Sequence, residues 1–143
     1  MYFEELKTGM QVRIKPAVID RDEMLAFSKR YDDIPIHTDE AYAKQTKFGQ
    51  PIACGMMSFL VVWAQYLEQD FFGEALLAGK SQKVEWYLPV FAGDTLCGIA
   101  EITNLTDRNS RNGIAELTMQ VYNQNNDLVL TGVTEAIVKK QCP

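Results

Sequence analysis

Between Met56 and Leu67 the chain reads Met-Met-Ser-Phe-Leu-Val-Val-Trp-Ala-Gln-Tyr-Leu. Its apolar residues surround a helical projection instead of forming one stripe, the pattern of a helix buried on most sides. The run is well short of the ~18 residues that suggest a membrane span, so other parts of the protein must wrap it. The second half of the chain supplies a wrapper. After Gly79 the pattern changes to period two: Val84, Trp86 and Leu88 alternate with Lys83, Glu85 and Tyr87. Pro89 to Asp94 then turns the chain into a strand over Thr95–Thr103. Ala115, Leu117, Met119 and Val121 mark another, and Asn123–Asp127 is a strong turn into a last strand over Leu128–Lys139.

The first half predicts a short strand near Gln11–Lys15. A helix capped by Asp20 follows and runs to about Tyr31, with Met24, Leu25, Phe27 and Ser28 on its inner face. Thr38-Asp39-Glu40 starts a second short helix through Ala41–Lys44. Helices first and an antiparallel meander after them give an α+β domain whose sheet curls around one central helix. That arrangement is the hot-dog fold. With no linker, repeat or low-complexity tract, residues 1–143 are expected to form a single domain.

Composition narrows the function. The net charge is −5 and no Lys/Arg cluster interrupts it, which argues against nucleic acid and gives no reason to expect an anionic membrane as partner. Cys54, Cys97 and Cys142 match neither a disulfide framework nor a metal-ligand spacing, and one histidine leaves a structural zinc site without ligands. Glu4 and Glu5 stand where a signal peptide would carry positive charge. A reducing cytoplasm is the expected location.

The single histidine lies in Tyr31-Asp32-Asp33-Ile34-Pro35-Ile36-His37. Proline fixes its own φ and pushes Ile34 toward an extended shape, so the preceding helix must stop. Asp32 is expected at the helix end and His37 a short extended step beyond, with both side chains in reach of one water or substrate atom. Histidine titrates near neutral pH and a carboxylate is tunable by burial, so the pair suits proton transfer. A lone histidine after a proline is also a common loop or capping residue. Gly55 has two readings as well: a plain turn glycine, or a backbone N–H donor at the start of the apolar helix, where unpaired amides converge. Met56, Met57, Phe59, Val62 and Trp63 fit core better than a tunnel for an apolar ligand, since apolar pockets use few of the available side chains.

Three segments together resemble the MaoC-like family of R-specific enoyl-CoA hydratases and acyl dehydratases. They are Asp32-x-x-Pro35-x-His37-x-Asp39, then Phe48-Gly49 with Ile52-Ala53-x-Gly55-Met56, and Leu88-Pro89-Val90-Phe91-Ala92-Gly93-Asp94-Thr95-Leu96. The resemblance covers most of the chain from Gly9 onward. It implies a homodimer or dimer of dimers of hot-dog subunits acting on an acyl-CoA thioester, with no metal or redox cofactor. The implied reaction is reversible addition of water to a trans-2-enoyl-CoA, giving the R-3-hydroxyacyl-CoA. Asp32 and His37 map onto the family's catalytic dyad, and the resemblance favours Gly55 as the oxyanion-hole donor. Gly93-Asp94 is expected only to turn the chain.

Two positions depart from the family pattern: Ile34 replaces a common Asn, and Cys54 replaces a common His. Cys54 is then either a small buried hydrophobe or a reactive thiol near a helix N-terminus. The departures support an alternative, a non-catalytic acyl-CoA-binding subunit. A hot-dog thioesterase is the other alternative, but many of these place an acid on or just before the central helix. No acid occurs between Phe48 and Gln65. Arg108, Arg111, Lys80 and Lys83 are candidates for the phosphates of coenzyme A, or simply face water.

Overall fold

The apolar segment forms a helix, α4 (Gly55–Leu67), and the period-two segments form the sheet beside it. The structure, a computed structural model, describes residues 1–141. In chain order the elements are β1 (Gln11–Val18), α1 (Arg21–Tyr31), α2 (Pro35–Thr38), α3 (Glu40–Lys44), α4, β2 (Leu76–Trp86), β3 (Thr95–Asp107), β4 (Asn112–Tyr122) and β5 (Leu128–Lys139). The five strands make one antiparallel sheet in the order β1-β3-β4-β5-β2. The expected α+β architecture is present.

Alternation decides the inner face. Leu96, Ala100 and Ile102 of β3, Ala115, Leu117, Met119 and Val121 of β4 and Ala136 and Val138 of β5 are buried, together with Met57, Phe59, Val62 and Tyr66 of α4. Each large side chain removed from water in this way contributes roughly 1.5–3 kcal/mol. Gly132 of β5 leaves room for the Phe59 ring, whose Cε2 would stand 3.0 Å from a Cβ added there. On α1, Asp20 caps as expected, its carboxylate accepting from the Glu23 N–H at 2.9 Å. Met24 and Ser28 are buried on its inner face, while Leu25 and Phe27 are half-buried.

Three expectations are corrected or refined. Strand β1 continues past Lys15 to Val18 because Pro16 sits at a register irregularity between Ile14 and Ala17 on an edge strand. There proline's missing N–H breaks no ladder. Secondly, α4 is covered on most sides, as expected, but within one chain it keeps one face open: Met56, Leu60 and Leu67 line an exposed stripe at helical spacing. Thirdly, β2 begins at Leu76, before Gly79, and its side chains are almost all exposed. Among the described residues it pairs only with β5, and its other edge is free. No helix among the described residues is long and apolar enough to cross a membrane.

Two buried titratable groups follow from this packing. Cys54 is fully buried at the N-cap of α4, and its Sγ accepts from the Met57 N–H at 3.4 Å. Burial pushes its thiol pKa above the ordinary 9.0, outweighing the Met57 bond, and the nearby Asp32 charge adds to the rise. The structure therefore favours the small buried hydrophobe over the reactive thiol. Cys97 is a second free thiol, partly exposed, and Cys142 lies outside the described residues.

Iodoacetamide at pH 8 should modify Cys97 in the folded protein and reach Cys54 only in denaturant; rapid labelling of native Cys54 by peptide mapping would contradict its burial. Burial also lifts the Tyr66 phenol from 10.0 to about 12, so the folded state keeps a proton that the unfolded chain releases. Stability present below pH 10 is lost as pH rises through about 12. By pH 11.5 the wild type should lose about 2 kcal/mol that Tyr66→Phe retains. Urea unfolding measured at pH 9 and 11.5 checks this, and identical losses in both proteins would refute it.

Candidate active site

The chain leaves α1 at Asp32, whose N–H still bonds to the Ser28 carbonyl at 2.8 Å while its own backbone turns out of the helix (φ −154°, ψ 60°). Ile34 is extended (φ −119°, ψ 152°), as the residue before a proline should be. The next step differs from expectation. Pro35 does not lead into an extended segment but opens a single helical turn, α2, a position where its missing N–H costs nothing. The His37 and Thr38 N–H groups both return to the Ile34 carbonyl, at 2.9 and 3.2 Å. That turn swings the imidazole back toward α1.

His37 Nε2 lies 3.4 Å from Asp32 Oδ2, so the two expected residues are together. His37 Nδ1 is 2.7 Å from the Ile52 carbonyl oxygen. A carbonyl only accepts, so Nδ1 carries the hydrogen, and in the neutral ring Nε2 is left as a bare acceptor facing Asp32. The imidazole is largely buried at 9% side-chain exposure, whereas the carboxylate is 46% exposed. The ring is thus held rigidly, with the acid on its solvent side.

Ile52 is itself fixed from two directions. Its N–H donates to Ile36 O at 3.2 Å, and the next N–H, of Ala53, donates to Val90 O at 2.8 Å. Ile52 also bridges to Phe91. The segment after β2 thereby carries Pro89 and Val90 to the site, and Gly93-Asp94 holds it in place. Gly93 has φ +89°, Asp94 Oδ2 accepts from the Phe91 N–H at 2.9 Å, and Oδ1 accepts from Gln124 at 3.0 Å. Those bonds all serve the turn. Gly49, at φ +71°, makes the other turn that its residue type permits and presents Phe48.

Asp32, His37, Phe48, Gly55, Trp86 and Pro89 are among the walls of a cavity of about 390 Å³. It opens onto the first turn of α4, where backbone N–H groups lack intrahelical partners and the positive end of the helix dipole lies. The cavity is mainly apolar, with the Asp32–His37 pair at its edge and Tyr87 in its wall. Ser28, fully buried, has the Cys54 thiol as a neighbour and its hydroxyl has no hydrogen-bond partner among the described residues. Met57, Phe59 and Val62 are core, as expected, while Met56 lines the cavity. Trp63 is partly buried and lines a separate, smaller cavity at the other end of α4.

The basic residues are elsewhere. Lys80 pairs with Glu135 at 3.4 Å and Lys83 with Glu85 at 3.1 Å. Arg108 donates to Asn112 at 3.2 Å, and Arg111 lines a different cavity with Lys139 and Lys140. Two participants escaped the sequence. The Ile52 carbonyl is a backbone group with no side-chain signature, and Trp86 was indistinguishable from an ordinary strand residue in an alternating run.

The chain is similar to known proteins. The family model described as MaoC like domain matches residues 4–124. An (R)-specific enoyl-CoA hydratase of Aeromonas caviae is 31% identical over 140 residues, 97% of this chain and 98% of that protein. A solved structure, the (R)-hydratase from A. caviae involved in PHA biosynthesis, superposes with a TM-score of 0.74 at 32% identity, over 96% of this chain and 99% of the other. The X-ray structure of a monoamine oxidase regulatory protein from Archaeoglobus fulgius gives a TM-score of 0.94 at 29% identity, over 99% and 96% of the two chains. The fold is therefore the hot-dog fold, and the chain belongs to the MaoC-like domain family.

Proposed function

We propose that the protein is a hydratase/dehydratase that interconverts a trans-2-enoyl-CoA and the R-3-hydroxyacyl-CoA. The observation that carries this reading is the pair of acceptors, His37 Nε2 and Asp32 Oδ2, 3.4 Å apart at the mouth of an apolar cavity that ends on the N-terminus of α4. Similarity to an (R)-specific enoyl-CoA hydratase supports the substrate class and the stereochemistry.

Two acceptors at that separation can each take one hydrogen of a single water, which leaves the oxygen's lone pair free to attack. Water adds through oxygen to the β carbon, and the α carbon gains a proton from the pair on the same face. In the reverse direction the pair removes the α proton and protonates the departing hydroxyl. Because the two groups are coupled, the proton inventory belongs to the dyad and not to either residue. No electrons enter or leave the overall reaction, so it calls for no redox cofactor.

Attack at the β carbon builds negative charge on the thioester oxygen. The Gly55 N–H, in the first turn of α4, is the proposed donor to that oxygen. A donor of this kind lowers a barrier by ~3 kcal/mol when correctly aimed. The helix dipole acts in the same direction.

The proposed assembly is a homodimer. The free edge of β2 and the exposed Met56–Leu60–Leu67 stripe of α4 are an unpaired strand and an uncovered apolar face, the two features that pairing with a second copy would cover. Light scattering should give about twice the mass of one chain; a stable monomer would remove the dimer from the proposal. For activity, absorbance of crotonyl-CoA and of a medium-chain enoyl-CoA should fall on incubation without release of free thiol. Asp32→Asn and His37→Gln should each lower the rate by a factor of about 100 or more, with melting temperatures near wild type. Full activity in either variant would take the dyad out of the mechanism, and thiol release would indicate a thioesterase instead.

A further inference from the structure

Gly55 has no side chain because Trp86 occupies the space. A Cβ built on Gly55 would stand 2.6 Å from the indole Nε1 and 2.7 Å from Cζ2, well inside van der Waals contact. Conformational freedom is not the reason, since Gly55 is helical and does not have positive φ. The indole N–H also donates to the Gly55 carbonyl at 2.9 Å. An α-helical carbonyl in the first turn already accepts from the residue four positions on, so this bond is additional to what the backbone requires.

The ring itself is not core: Trp86 is 46% exposed and forms part of the wall around Asp32 and His37. Its main chain is fixed on the last rung between β2 and β5, opposite Leu130. One end of the residue is therefore anchored in the sheet and the other on the helix terminus. A half-exposed aromatic side chain tied at both ends contributes less through burial than through what it immobilises.

What it immobilises matters to the proposed chemistry. Glycine is the least constrained residue, and the first turn of a helix is its least hydrogen-bonded part. A catalytic amide placed on a glycine at that end needs an outside clamp to keep its aim. We propose that Trp86 is a positioning residue. By holding the carbonyl of the Gly55–Met56 peptide and packing its ring against the Gly55 Cα, it fixes Gly55 and so keeps the N–H of the preceding peptide directed at the thioester oxygen while Asp32 and His37 act on the reacting carbons. This inference rests on the hydratase reading above.

The test compares wild type with Trp86→Phe and with a protein carrying benzothienylalanine at position 86, an isostere of tryptophan with sulfur in place of the N–H. Crotonyl-CoA hydration is followed alongside thermal melting. Loss of the clamp should lower kcat about tenfold to a hundredfold, with KM within about threefold and melting close to wild type. A purely structural role would lower the melting temperature and leave kcat unchanged. Should Trp86→Phe fail to fold, the isostere decides, because it preserves the ring's shape. An active wild type with kcat unchanged in the isostere overturns the positioning role and leaves the hydratase reading standing. A rise in KM alone also overturns it, since Trp86 would then be a wall for ground-state binding. A wild type that hydrates neither crotonyl-CoA nor a medium-chain enoyl-CoA defeats the hydratase reading, and the positioning role falls with it.

Discussion

The hydrogen bond from His37 Nδ1 to the Ile52 carbonyl, at 2.7 Å, is the interaction on which the site depends. It selects the tautomer, sets the plane of the ring and leaves Nε2 facing Asp32. A single bond of this sort is useful only if its acceptor is stationary. Ile52 is stationary because Ile36 holds its N–H, Val90 holds the next N–H and Phe91 bridges to it. Three stretches distant in sequence, 34–38, 52–54 and 89–91, are locked together by main-chain groups. His37 is thus fixed relative to α4 by main-chain groups.

Burial divides the work within the pair. The imidazole is enclosed and rigid, as a group that must aim at one atom requires, and the carboxylate is half in solvent. A carboxylate in that position is in contact with bulk water while the ring is enclosed. The apolar cavity wall strengthens every polar interaction at its edge by excluding water. The N-terminus of α4 adds donors and a favourable dipole without adding a charged residue. The same helix presents buried side chains on one face and an uncovered apolar stripe on the other, so core, site and the proposed subunit contact share one element.

Much of the fold could be read from the sequence because its determinants are local. Period-two alternation located β4 and β5, with β5 spanning Leu128–Lys139 as expected, since pleating links each side chain's face to its position. Asp20 and the Asn123–Asp127 turn were readable because their side chains bond to the adjacent main chain. The errors arose where the deciding contact is distant. Pro35 is compatible with either an extended step or the first residue of a helix, and only docking on Ile52 selects the helix. Trp86 and Leu88 alternate like inward residues, yet both are exposed in the single chain. The pattern of α4 likewise encodes an apolar surface without stating whether its own sheet or another chain covers it. The candidate site was half readable: a motif singled out Asp32, His37 and Gly55, which the structure brings to one cavity, whereas a carbonyl acceptor has no letter of its own.

That division bears on the two departures from the family pattern. Ile34 is nearly half exposed, at 46%. What it contributes locally is its carbonyl, which receives the N–H groups of His37 and Thr38. Any residue with an extended backbone supplies that carbonyl, so replacing Asn with Ile leaves the turn and the imidazole where they are. Cys54 caps α4 through its sulfur, and its backbone carbonyl accepts from Ser58; its thiol is buried and kept protonated. Neither departure removes a group that holds His37, because what holds His37 is main chain. A dyad anchored by carbonyls and amides tolerates change in the neighbouring side chains, provided the turns that place those carbonyls survive. Gly49 and Gly93, whose positive φ few other residues reproduce, are therefore more constrained in this protein than the side chains at positions 34 and 54.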